Sequence, residues 1–323
     1  MKIIKNYYTD SMRKEFAEAI IQLSKSNDKI VFLTGDLGFM ALEGVRDQLG
    51  ERFINAGVAE QNMVTMAASL AYDGFVPFVY SISPFITLRP YEQIRNDICL
   101  HNLPVKIVAN GGGYGYGIMG STHHNIEDIG SMRLLPNMKV YVPFTKQDVH
   151  ESLGEMVNDK APNYLRLNLA SGLPGVDQFS QWRKIKEAID IPVAIVIGTG
   201  TVADNLFKLP DHLLNGLEIW LISQFPVFDL PLELSESISR IKNVITLEEH
   251  QGQCGLHETL ASLLLKQLDT PIRYNTLFAS GYPSGRYGTQ QWHQEENNLY
   301  GKNLAIKITE FTSNTHARQS IKG

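Results

Sequence analysis

Residues 52–74, RFINAGVAEQNMVTMAASLAYDG, decide how the first half of this 323-residue chain folds, because a short apolar run passes directly into an alanine-rich helix that ends at Gly74. The segment 54–69 places one carboxylate, Glu60, at the junction between strand and helix. Open α/β sheets bind ligands beyond the carboxyl ends of their strands, so a group at this junction faces a crevice. Acidic residues are also favoured in the first turn of any helix, where they interact with the helix dipole and the free amide groups. Taken alone, the segment therefore favours a structural role for Glu60 over a functional one.

Apolar runs and helical patterns alternate along the chain. In the first half, strands are predicted at KIVFLTGD (29–36), RFINAG (52–57), FVPFVYS (75–81), PVKIVANGGG (104–113) and KVYVPF (139–144), and helices at 12–24, 62–74, 89–102 and 145–158. In the second half, strands are predicted at PVAIVIGTG (192–200), LEIWLISQF (217–225), NVITLEEH (243–250) and IRYNTLF (272–278), with a helix at 255–267. Strands that alternate with helices are typical of parallel, doubly wound sheets.

A polar stretch separates the two halves. Residues 171–192, SGLPGVDQFSQWRKIKEAIDIP, are interrupted by glycine and proline and read as a linker. The sequence therefore predicts an α/β fold with two doubly wound domains, namely residues 1–172 and a smaller domain at 192–323, joined by a linker at 173–191. Neither half shows an internal repeat, a low-complexity tract or a coiled coil.

The composition excludes several classes of protein. Hydrophobic residues make up 43% of the chain, enough for at least one large core. A net charge of -5 and a pI near 6.0 argue against a nucleic-acid partner, because no basic stripe is present to neutralise phosphates. No apolar run approaches the ~20 residues that span a bilayer, and the start of the chain lacks the apolar core of a signal peptide. Cys99 and Cys254 lie far apart in sequence, which favours a reduced, cytoplasmic compartment over a disulfide framework.

Two glycine patterns invite a nicotinamide-cofactor interpretation: G-x-G-x-x-G at residues 115–120 and G-x-G-x-x-A at residues 198–203. A dinucleotide-binding fold needs an Asp or Glu about 20 residues further on, at the end of the next strand. The strands that follow, KVYVPF and LEIWLISQF, carry no acid there, and neither loop has the G-K-[ST] of a P-loop. We therefore expect these glycines to let the backbone pass close to a neighbouring group at the crevice.

Two histidine clusters resemble metal sites. His123 and Glu127 are four residues apart and would share a helix face, and His250, Cys254 and His257 could surround an ion. Neither set contains the close pair and the further ligand that a zinc site requires, so we predict no metal site in this chain. We instead expect His123 to point into the crevice beside the glycine loop, as a neutral group for hydrogen bonding and proton transfer.

An ordered set of segments resembles a known family. The segments are GDLG (35–38), RFINAGVAEQNMVTMAASLAYDGFVPFVYSIS (52–83), EQIRNDI (92–98) and NLPVKIVANGGGYGYGIMGSTHHNIEDIGSMRLLPNMKVYVP (102–143). Together they resemble the pyrimidine-binding domain of transketolase and of its relative 1-deoxyxylulose-5-phosphate synthase, and the second domain resembles the carboxyl-terminal domain of the same enzymes. The chain as a whole resembles the carboxyl-terminal, small subunit of a split transketolase.

This resemblance implies a transferase that moves a two-carbon ketol unit from a ketose donor to an aldose acceptor, with thiamine diphosphate as cofactor. Full-length transketolases begin with a diphosphate-binding domain that holds Mg²⁺ and the diphosphate of the cofactor. We expect a separate amino-terminal partner subunit to supply that domain, in a heterotetramer with two copies of each subunit. The expected substrates are sugars.

The resemblance also implies roles for individual residues. Glu60, in the motif G-V-A-E-Q, would hydrogen-bond N1′ of the aminopyrimidine and so promote loss of the proton from C2 of the thiazolium. Phe85 would stack on the pyrimidine, and Tyr91 would close the same pocket. Asp36 would lie near the thiazolium across the subunit boundary. His123, in the T-H motif, would contact the sugar substrate.

Several departures from the family pattern fall on the substrate side of the site. Met40 and Leu169 stand where phosphosugar transketolases have a serine and an arginine. Residues 118–120 replace an E-D-G motif, and Ser131 replaces a second substrate histidine.

Two arginines remain as candidates for phosphate recognition. Arg13 aligns with a phosphate-binding arginine of the family, and Arg166 could replace the missing one from a shifted position. Phosphate recognition normally uses charge-assisted arginine contacts, so their loss should alter the choice of acceptor. We predict that at least one substrate is not an ordinary pentose or hexose phosphate.

Other functions share parts of the pattern. The beta subunit of a 2-oxo-acid dehydrogenase and an acyloin-forming enzyme like 1-deoxyxylulose-5-phosphate synthase have the same layout and the same glutamate. The T-H-H motif at 122–124 and the segment LLPNMKVYVP (134–143) favour the transketolase over the dehydrogenase. A non-catalytic scaffold subunit is a further alternative, against which the combination of Glu60 and Phe85 argues.

Overall fold

The computed structural model describes residues 11–38, 41–173 and 178–319, so the departure at Met40 lies outside the described ranges. The strands in these ranges are β1 (Ile30–Thr34), β2 (Phe53–Asn55), β3 (Val76–Ile82), β4 (Lys106–Asn110), β5 (Lys139–Tyr141), β6 (Asn163–Leu167), β7 (Trp182–Lys186), β8 (Ala194–Thr199), β9 (Leu217–Ile222), β10 (Gln224–Phe225), β11 (Asn243–Glu248) and β12 (Arg273–Phe278). The α-helices are α1 (Met12–Ser26), α2 (Glu43–Leu49), α3 (Glu60–Tyr72), α4 (Ser83–Thr87), α5 (Tyr91–Gln93), α6 (Asp128–Arg133), α7 (Lys146–Asn158), α8 (Asp211–Leu214), α9 (Leu232–Ile241), α10 (Leu256–Gln267), α11 (Gln290–Glu296) and α12 (Gly301–Gln319).

The first sheet has the strand order β10-β5-β6-β4-β3-β1-β2. Its neighbouring strands run parallel except β10, which pairs antiparallel with β5. Because β1 lies between β2 and β3, the chain first winds outward from β1 to β2 and then crosses to the other side of β1 to form β3. The winding therefore reverses between β1 and β3, and such a switch point leaves a crevice at the carboxyl ends of the strands.

The second sheet has the order β12-β11-β8-β9-β7, with β7 antiparallel to β9 and the other pairs parallel. It has a switch point of its own, between β8 and β11. Two mainly parallel sheets confirm the predicted α/β class with two doubly wound units. The limits of the two domains stay a prediction.

The predicted linker contains more structure than its polar composition indicates. Strand β7 forms within it and pairs with β9 at the edge of the second sheet. Four of its five residues, Trp182, Lys184, Ile185 and Lys186, are partly exposed. Charged side chains are common on edge strands because they discourage pairing with other chains, and this charge hides the strand pattern in the sequence.

The two faces of the first sheet belong to different apolar clusters, because successive residues of a strand point in opposite directions. In β1, Leu33 packs in one cluster with Met63 of α3, whereas Phe32 packs in the other with Phe16 of α1. All five residues of β1 are buried. A parallel strand that is buried on both faces needs helices on both sides of the sheet, and α3 and the α1–α7 pair supply them.

The segment predicted as one helix at 89–102 is divided in the structure. Helix α4 ends before it, the chain turns through Pro90, and α5 passes into a π-helix at Ile94–Cys99. Proline lacks the N–H that a continuous helix needs, so a break falls at Pro90. The break matters for the site, because it places Arg89 in a turn beside Phe85 of α4.

Candidate active site

A crevice lies at the switch point of the first sheet, where the carboxyl ends of β1, β2, β3 and β4 meet. Asp36 follows β1, Glu60 follows β2 and Phe85 follows β3. The glycine-rich segment 111–120, with His123 beyond it, follows β4. The parallel strands thus bring residues that are far apart in the sequence to one edge of the sheet.

Glu60 is the first residue of α3, and its side chain is 5% exposed. Both carboxylate oxygens accept hydrogen bonds from Nη1 of Arg89, at 3.2 Å from Oε1 and 3.1 Å from Oε2. The Arg89 side chain is 46% exposed, so the ion pair has one buried partner and one accessible to solvent. A glutamate that only interacts with the dipole of its own helix does not need an arginine partner. Glu60 has one in Arg89, which lies 29 positions away in the sequence. Glu60 therefore presents its carboxylate across the crevice.

The ring of Phe85 lies between this ion pair and His123. The Cζ atom of Arg89 is 3.8 Å from the centroid of the Phe85 ring. The imidazole of His123 also contacts the Phe85 ring, with an angle of 62° between the ring planes and the two centroids 5.2 Å apart. Glu60, Arg89, Phe85 and His123 therefore form a continuous row of side chains, which we call the Glu60 row.

Tyr116 connects the Glu60 row to Arg13. The ring centroids of Tyr116 and His123 are 5.9 Å apart, and the Tyr116 hydroxyl accepts a hydrogen bond from Nδ2 of Asn110 at 2.9 Å. Burial raises the pKa of Tyr116, and the nearby charge of Arg13 opposes that rise. Arg13 also forms a hydrogen bond with the side chain of Tyr80. Arg13 therefore lies near enough for its charge to act on the hydroxyls of both Tyr116 and Tyr80.

Tyr91 and Ser131 meet through a hydrogen bond. The Tyr91 hydroxyl donates to the backbone carbonyl of Ser131 at 2.9 Å. The Ser131 hydroxyl donates to the carbonyls of Glu127 and Asp128 at 2.9 Å and 3.1 Å, so it is engaged by its own helical segment. The roles expected for Tyr91 in closing the pyrimidine pocket and for Ser131 in binding substrate stay predictions.

Asp36 is exposed at the carboxyl end of β1. Its Oδ1 atom accepts a hydrogen bond from Nδ2 of Asn55 at 3.3 Å. Both residues line a cavity of about 610 Å³, together with Thr34 and Phe53. Among the described residues the buried hydroxyl of Thr34 has no hydrogen-bond partner. The cavity therefore has a mixed lining, with the apolar side chains of Leu37, Leu42 and Phe53 beside the polar ones. A position of Asp36 near the thiazolium stays a prediction.

The glycine-rich loop after β4 passes very close to buried side chains. A Cβ atom on Gly112 would lie 2.3 Å from Nε of Arg166, and one on Gly113 would lie 2.4 Å from Oε1 of Glu249. The backbone N–H of Tyr114 donates to the same Oε1 atom at 2.6 Å. A larger residue at Gly112 or Gly113 would therefore collide with a charged side chain of the same chain, which explains why glycine is needed at these two positions.

Arg166 is buried beneath this loop. Its Nε atom donates to Oδ2 of Asp128 at 2.8 Å, and its Nη2 atom donates to the carbonyl of Glu249 at 2.9 Å. The Tyr164 hydroxyl donates to the same Oδ2 atom at 2.7 Å. The side chains of Arg166 and Asp128 are 4% and 0% exposed, so the expectation that Arg166 could replace a phosphate-binding arginine is wrong. We call Asp128, Tyr164, Arg166 and Glu249 the buried network.

The adjacent residues His123 and His124 have different surroundings. His124 bonds the carbonyl of Gly117 through Nε2 at 2.7 Å and the hydroxyl of Tyr282 through Nδ1 at 2.9 Å. Its ring also packs edge-on against His293, with centroids 4.8 Å apart. Burial lowers the pKa of His124 to about 4, so the ring is neutral near pH 7. His124 therefore holds the loop in place, while His123 faces the crevice.

The histidines near the end of β11 are engaged by hydrogen bonds. Nε2 of His250 accepts from the N–H of Gly130 at 3.0 Å, and Nδ1 of His257 bonds Oε1 of Glu248 at 2.8 Å. Within the described ranges, no three His, Cys, Asp or Glu side chains are arranged to hold a metal ion. None of the helices described there combines the length and the apolar character needed to cross a membrane.

Sequence reasoning misses Arg89, which it assigns to the start of a helix at 89–102. A helical turn at Ser83–Thr87 would have placed Arg89 four positions after Phe85, a spacing at which two helical side chains meet. The turn gives little signal because it is five residues long and follows β3 without a break. Tyr116 is missed for another reason. It lies within the G-x-G-x-x-G pattern at 115–120, where only the glycines are considered as functional positions.

Comparisons with known proteins show which family the chain resembles. Residues 9–171 match the family model of the transketolase pyrimidine-binding domain. A putative transketolase C-terminal section from Methanocaldococcus jannaschii is 31% identical over 316 residues, which cover 93% of this chain and 95% of the relative. One subunit of an apulose-4-phosphate transketolase from Actinobacillus succinogenes is 30% identical over 246 residues, which cover 73% of this chain and 76% of the relative.

Two further similarities extend the comparison. A 1-deoxy-D-xylulose-5-phosphate synthase from Mycolicibacterium vanbaalenii is 28% identical over 271 residues, or 80% of this chain, and the match spans 42% of that enzyme. A solved split-gene transketolase, described as an inactive beta4 tetramer, is similar with a TM-score of 0.78 and 27% identity, covering 94% of this chain and 98% of the other. The expected resemblance is confirmed, and the chain belongs to the transketolase family, with its pyrimidine-binding domain at residues 9–171.

Proposed function

We propose that this chain is the pyrimidine-binding subunit of a split, thiamine-diphosphate-dependent transketolase. Together with a partner subunit, it would transfer a two-carbon ketol unit from a ketose donor to an aldose acceptor. The observation that carries the proposal is the Glu60 row, in which a buried carboxylate and an aromatic ring share a crevice at a switch point. Two relatives, one named as a section of a transketolase and one as a separate transketolase subunit, support the split arrangement.

The Glu60 row has the features that an aminopyrimidine needs. The guanidinium of Arg89 is a planar group with N–H donors, and it lies 3.8 Å over the Phe85 ring while it bonds both oxygens of Glu60. A pyrimidine is also planar, and it can stack on an aromatic face while a ring nitrogen hydrogen-bonds a carboxyl group. The guanidinium stands in for the pyrimidine, so Glu60 and Phe85 fit this part of the cofactor.

When bound, thiamine diphosphate would supply the carbon that carries the two-carbon unit between sugars. Glu60 would share a proton with N1′ of the pyrimidine, because a hydrogen bond in a water-poor pocket is stronger than the same bond in water. Phe85 would orient the ring and limit the access of water to Glu60. Acid–base groups placed in this way typically contribute about 10²–10⁴-fold in rate.

His123 is the residue that we assign to the sugar. It touches Phe85 in the crevice, and its Nδ1 atom lies 2.9 Å from Oγ1 of Thr122. Arg13, whose charge acts on the hydroxyl of Tyr116, is the remaining candidate for a phosphate contact because Arg166 is buried. The relative named for apulose 4-phosphate supports a substrate other than an ordinary pentose or hexose phosphate. Equal turnover of xylulose 5-phosphate and ribose 5-phosphate would contradict this part of the proposal.

The partner subunit would hold the diphosphate and Mg²⁺, and the proposed assembly is an α2β2 heterotetramer. A solved relative described as an inactive beta4 tetramer supports the need for a second kind of subunit. The two unpaired cysteines, Cys99 and Cys254, support a cytoplasmic location. An active form of this chain by itself would contradict the partner requirement.

Reconstitution tests the function directly. The chain is mixed with its diphosphate-binding partner, thiamine diphosphate and Mg²⁺, and ketol transfer is followed for the wild type and for Glu60→Gln. Glutamine keeps the shape of Glu60 but cannot share a proton with N1′, so we expect activity to fall by about 10²-fold or more. Glu51→Gln, at an exposed position near β2, is the matched control and should retain full activity. Full activity of Glu60→Gln would refute the catalytic assignment.

Acyloin formation is the second candidate, and the relatives named 1-deoxy-D-xylulose-5-phosphate synthase favour it. The two reactions differ in the product, since the relatives are named for the synthesis of 1-deoxy-D-xylulose 5-phosphate. Formation of that product, without ketol transfer from any ketose phosphate, would replace the transketolase assignment with this one. Absence of both activities in a complex that binds the cofactor would favour a scaffold subunit.

A further inference from the structure

Arg89 occupies the position that the proposed function gives to the pyrimidine. Its guanidinium covers the Phe85 ring at 3.8 Å. Its Nη1 atom lies 3.2 Å and 3.1 Å from the two carboxylate oxygens of Glu60. One face of an aromatic ring accommodates one stacked partner at this distance. The guanidinium and the pyrimidine therefore cannot occupy this place together.

We propose that Arg89 is an internal competitor for the pyrimidine subsite: it holds Glu60 and Phe85 while the cofactor is absent and swings outward before the pyrimidine binds. The inference rests on the proposed function. The side chain of Arg89 has the freedom to leave, because it is 46% exposed and lies in the turn between α4 and α5. A long, flexible stem lets the charged group reach water without movement of the backbone.

The interactions to be broken are of moderate strength. A half-exposed ion pair and an exposed cation–π contact each contribute little on their own, and together they would close the subsite in about 80–90% of the molecules. A ligand that binds only the open fraction has an apparent Kd that is raised by the inverse of this fraction. Removal of the competitor should therefore lower the apparent Kd for thiamine diphosphate about five- to tenfold.

The test compares two arginine variants in the complex of the full chain with its diphosphate-binding partner. Thiamine diphosphate is titrated in the presence of Mg²⁺, and its Kd is measured by isothermal titration calorimetry. In Arg89→Met the side chain remains long but can neither bond Glu60 nor place a charge over Phe85. Arg95→Met is the matched control, because Arg95 is exposed and donates to Oδ1 of Asn96.

The sign of the change separates two explanations. The cofactor is anionic, so loss of a nearby positive charge should by itself weaken binding in both variants. Internal competition predicts the opposite for Arg89→Met, a Kd five- to tenfold lower than in the wild type, while Arg95→Met binds with an unchanged or higher Kd.

An unchanged or higher Kd for Arg89→Met would overturn the inference. If the wild-type complex binds the cofactor and Phe85→Ala weakens binding, the pyrimidine-binding part of the proposed function stands whatever Arg89→Met does. If the wild-type complex binds no thiamine diphosphate, the proposed function fails, and the inference fails with it.

Discussion

Both sheets carry a carboxylate near their switch point, but the two carboxylates have different partners. At the first sheet, Glu60 is bonded by a single arginine that is half exposed. At the second sheet, Glu249 follows β11 and accepts the backbone N–H of Tyr114 at 2.6 Å. The side-chain amides of Gln290, at 2.9 Å, and Gln294 donate to it as well.

The difference shows that position in the fold does not identify a functional carboxylate. The glycine loop of the first sheet packs against Glu249, so the donors to this carboxylate are a fixed backbone N–H and two amides, of which Gln294 is buried and Gln290 is partly buried. Among the described residues, the side chain of Glu60 in the crevice of the first sheet has one partner, Arg89, which solvent can replace. A ligand can compete for Glu60, whereas it would have to displace part of the core to reach Glu249.

The largest effect on stability is expected from the buried network. Arg166→Met leaves the carboxylate of Asp128 buried without its charged partner, and breaking a buried ion pair in this way costs about 3–5 kcal/mol. Urea unfolding of the isolated chain measures the loss. Arg46→Met is the matched control, because the side chains of Arg46 and Asp47 are 59% and 71% exposed, and it should cost less than about 1 kcal/mol. Equal losses in the two variants would contradict the distinction.

The same substitution at the two switch points should destabilise the chain to different extents. Glu249→Gln turns a new N–H donor toward the amides that donate to Glu249, and a buried mismatch of this kind costs about 1–3 kcal/mol of unfolding free energy. In Glu60→Gln the new side chain lies next to the half-exposed Arg89, so the loss of unfolding free energy should be less than about 1 kcal/mol. Unfolding of both variants by urea checks the difference. A larger loss for Glu60→Gln than for Glu249→Gln would reverse the comparison.

The smallest expected effect is a loss of stability in mild acid. The pKa of His124 is lowered to about 4 in the folded chain by burial, compared with 6.5 for an ordinary histidine. Between these values the unfolded chain binds a proton that the folded chain does not, so stability falls as the pH drops through this window. From pH 6.5 to 5.5 the loss from this residue should reach about 1 kcal/mol.

A pair of variants isolates the contribution of His124 to that loss. His124→Gln removes the titrating ring, so its unfolding free energy should change less between pH 6.5 and 5.5 than that of the wild type. His101→Gln, at an exposed position, should follow the wild type. If the unfolding free energy of His124→Gln changed with pH as much as that of the wild type, other groups would be the cause of the acid sensitivity.

Much of the first sheet can be predicted from the sequence, because its strands are buried on both faces and read as continuous apolar runs. Leu33 and Phe32 illustrate this, since they pack on opposite faces of β1 and are both fully apolar. Strand β7 is harder to predict because it lies at an edge and carries charged residues. Strand β10 is harder still, because the predicted strand at 217–225 changes sheet at Ser223 and only the tertiary structure shows this.

The candidate site divides in a similar way. Glu60, Phe85 and His123 can be found from motifs, and the topology of parallel strands explains why they meet. Arg89 and the burial of Arg166 cannot be found in that way. Their positions depend on a turn at Pro90 and on a carboxylate, Asp128, that lies 38 residues from Arg166 in the sequence.

Strand β10 sets where this protein can be divided or recombined. Gln224 and Phe225 belong to the second half of the chain, yet they pair with β5 and complete the first sheet. A gene fragment that encoded only residues 1–172 would leave the edge of β5 unpaired, and open edges invite association between chains. Exchange of modules between related enzymes would therefore have to supply a replacement for these two residues. The point at which the chain can be divided therefore depends on keeping β10 paired with β5, and not on the position of the linker.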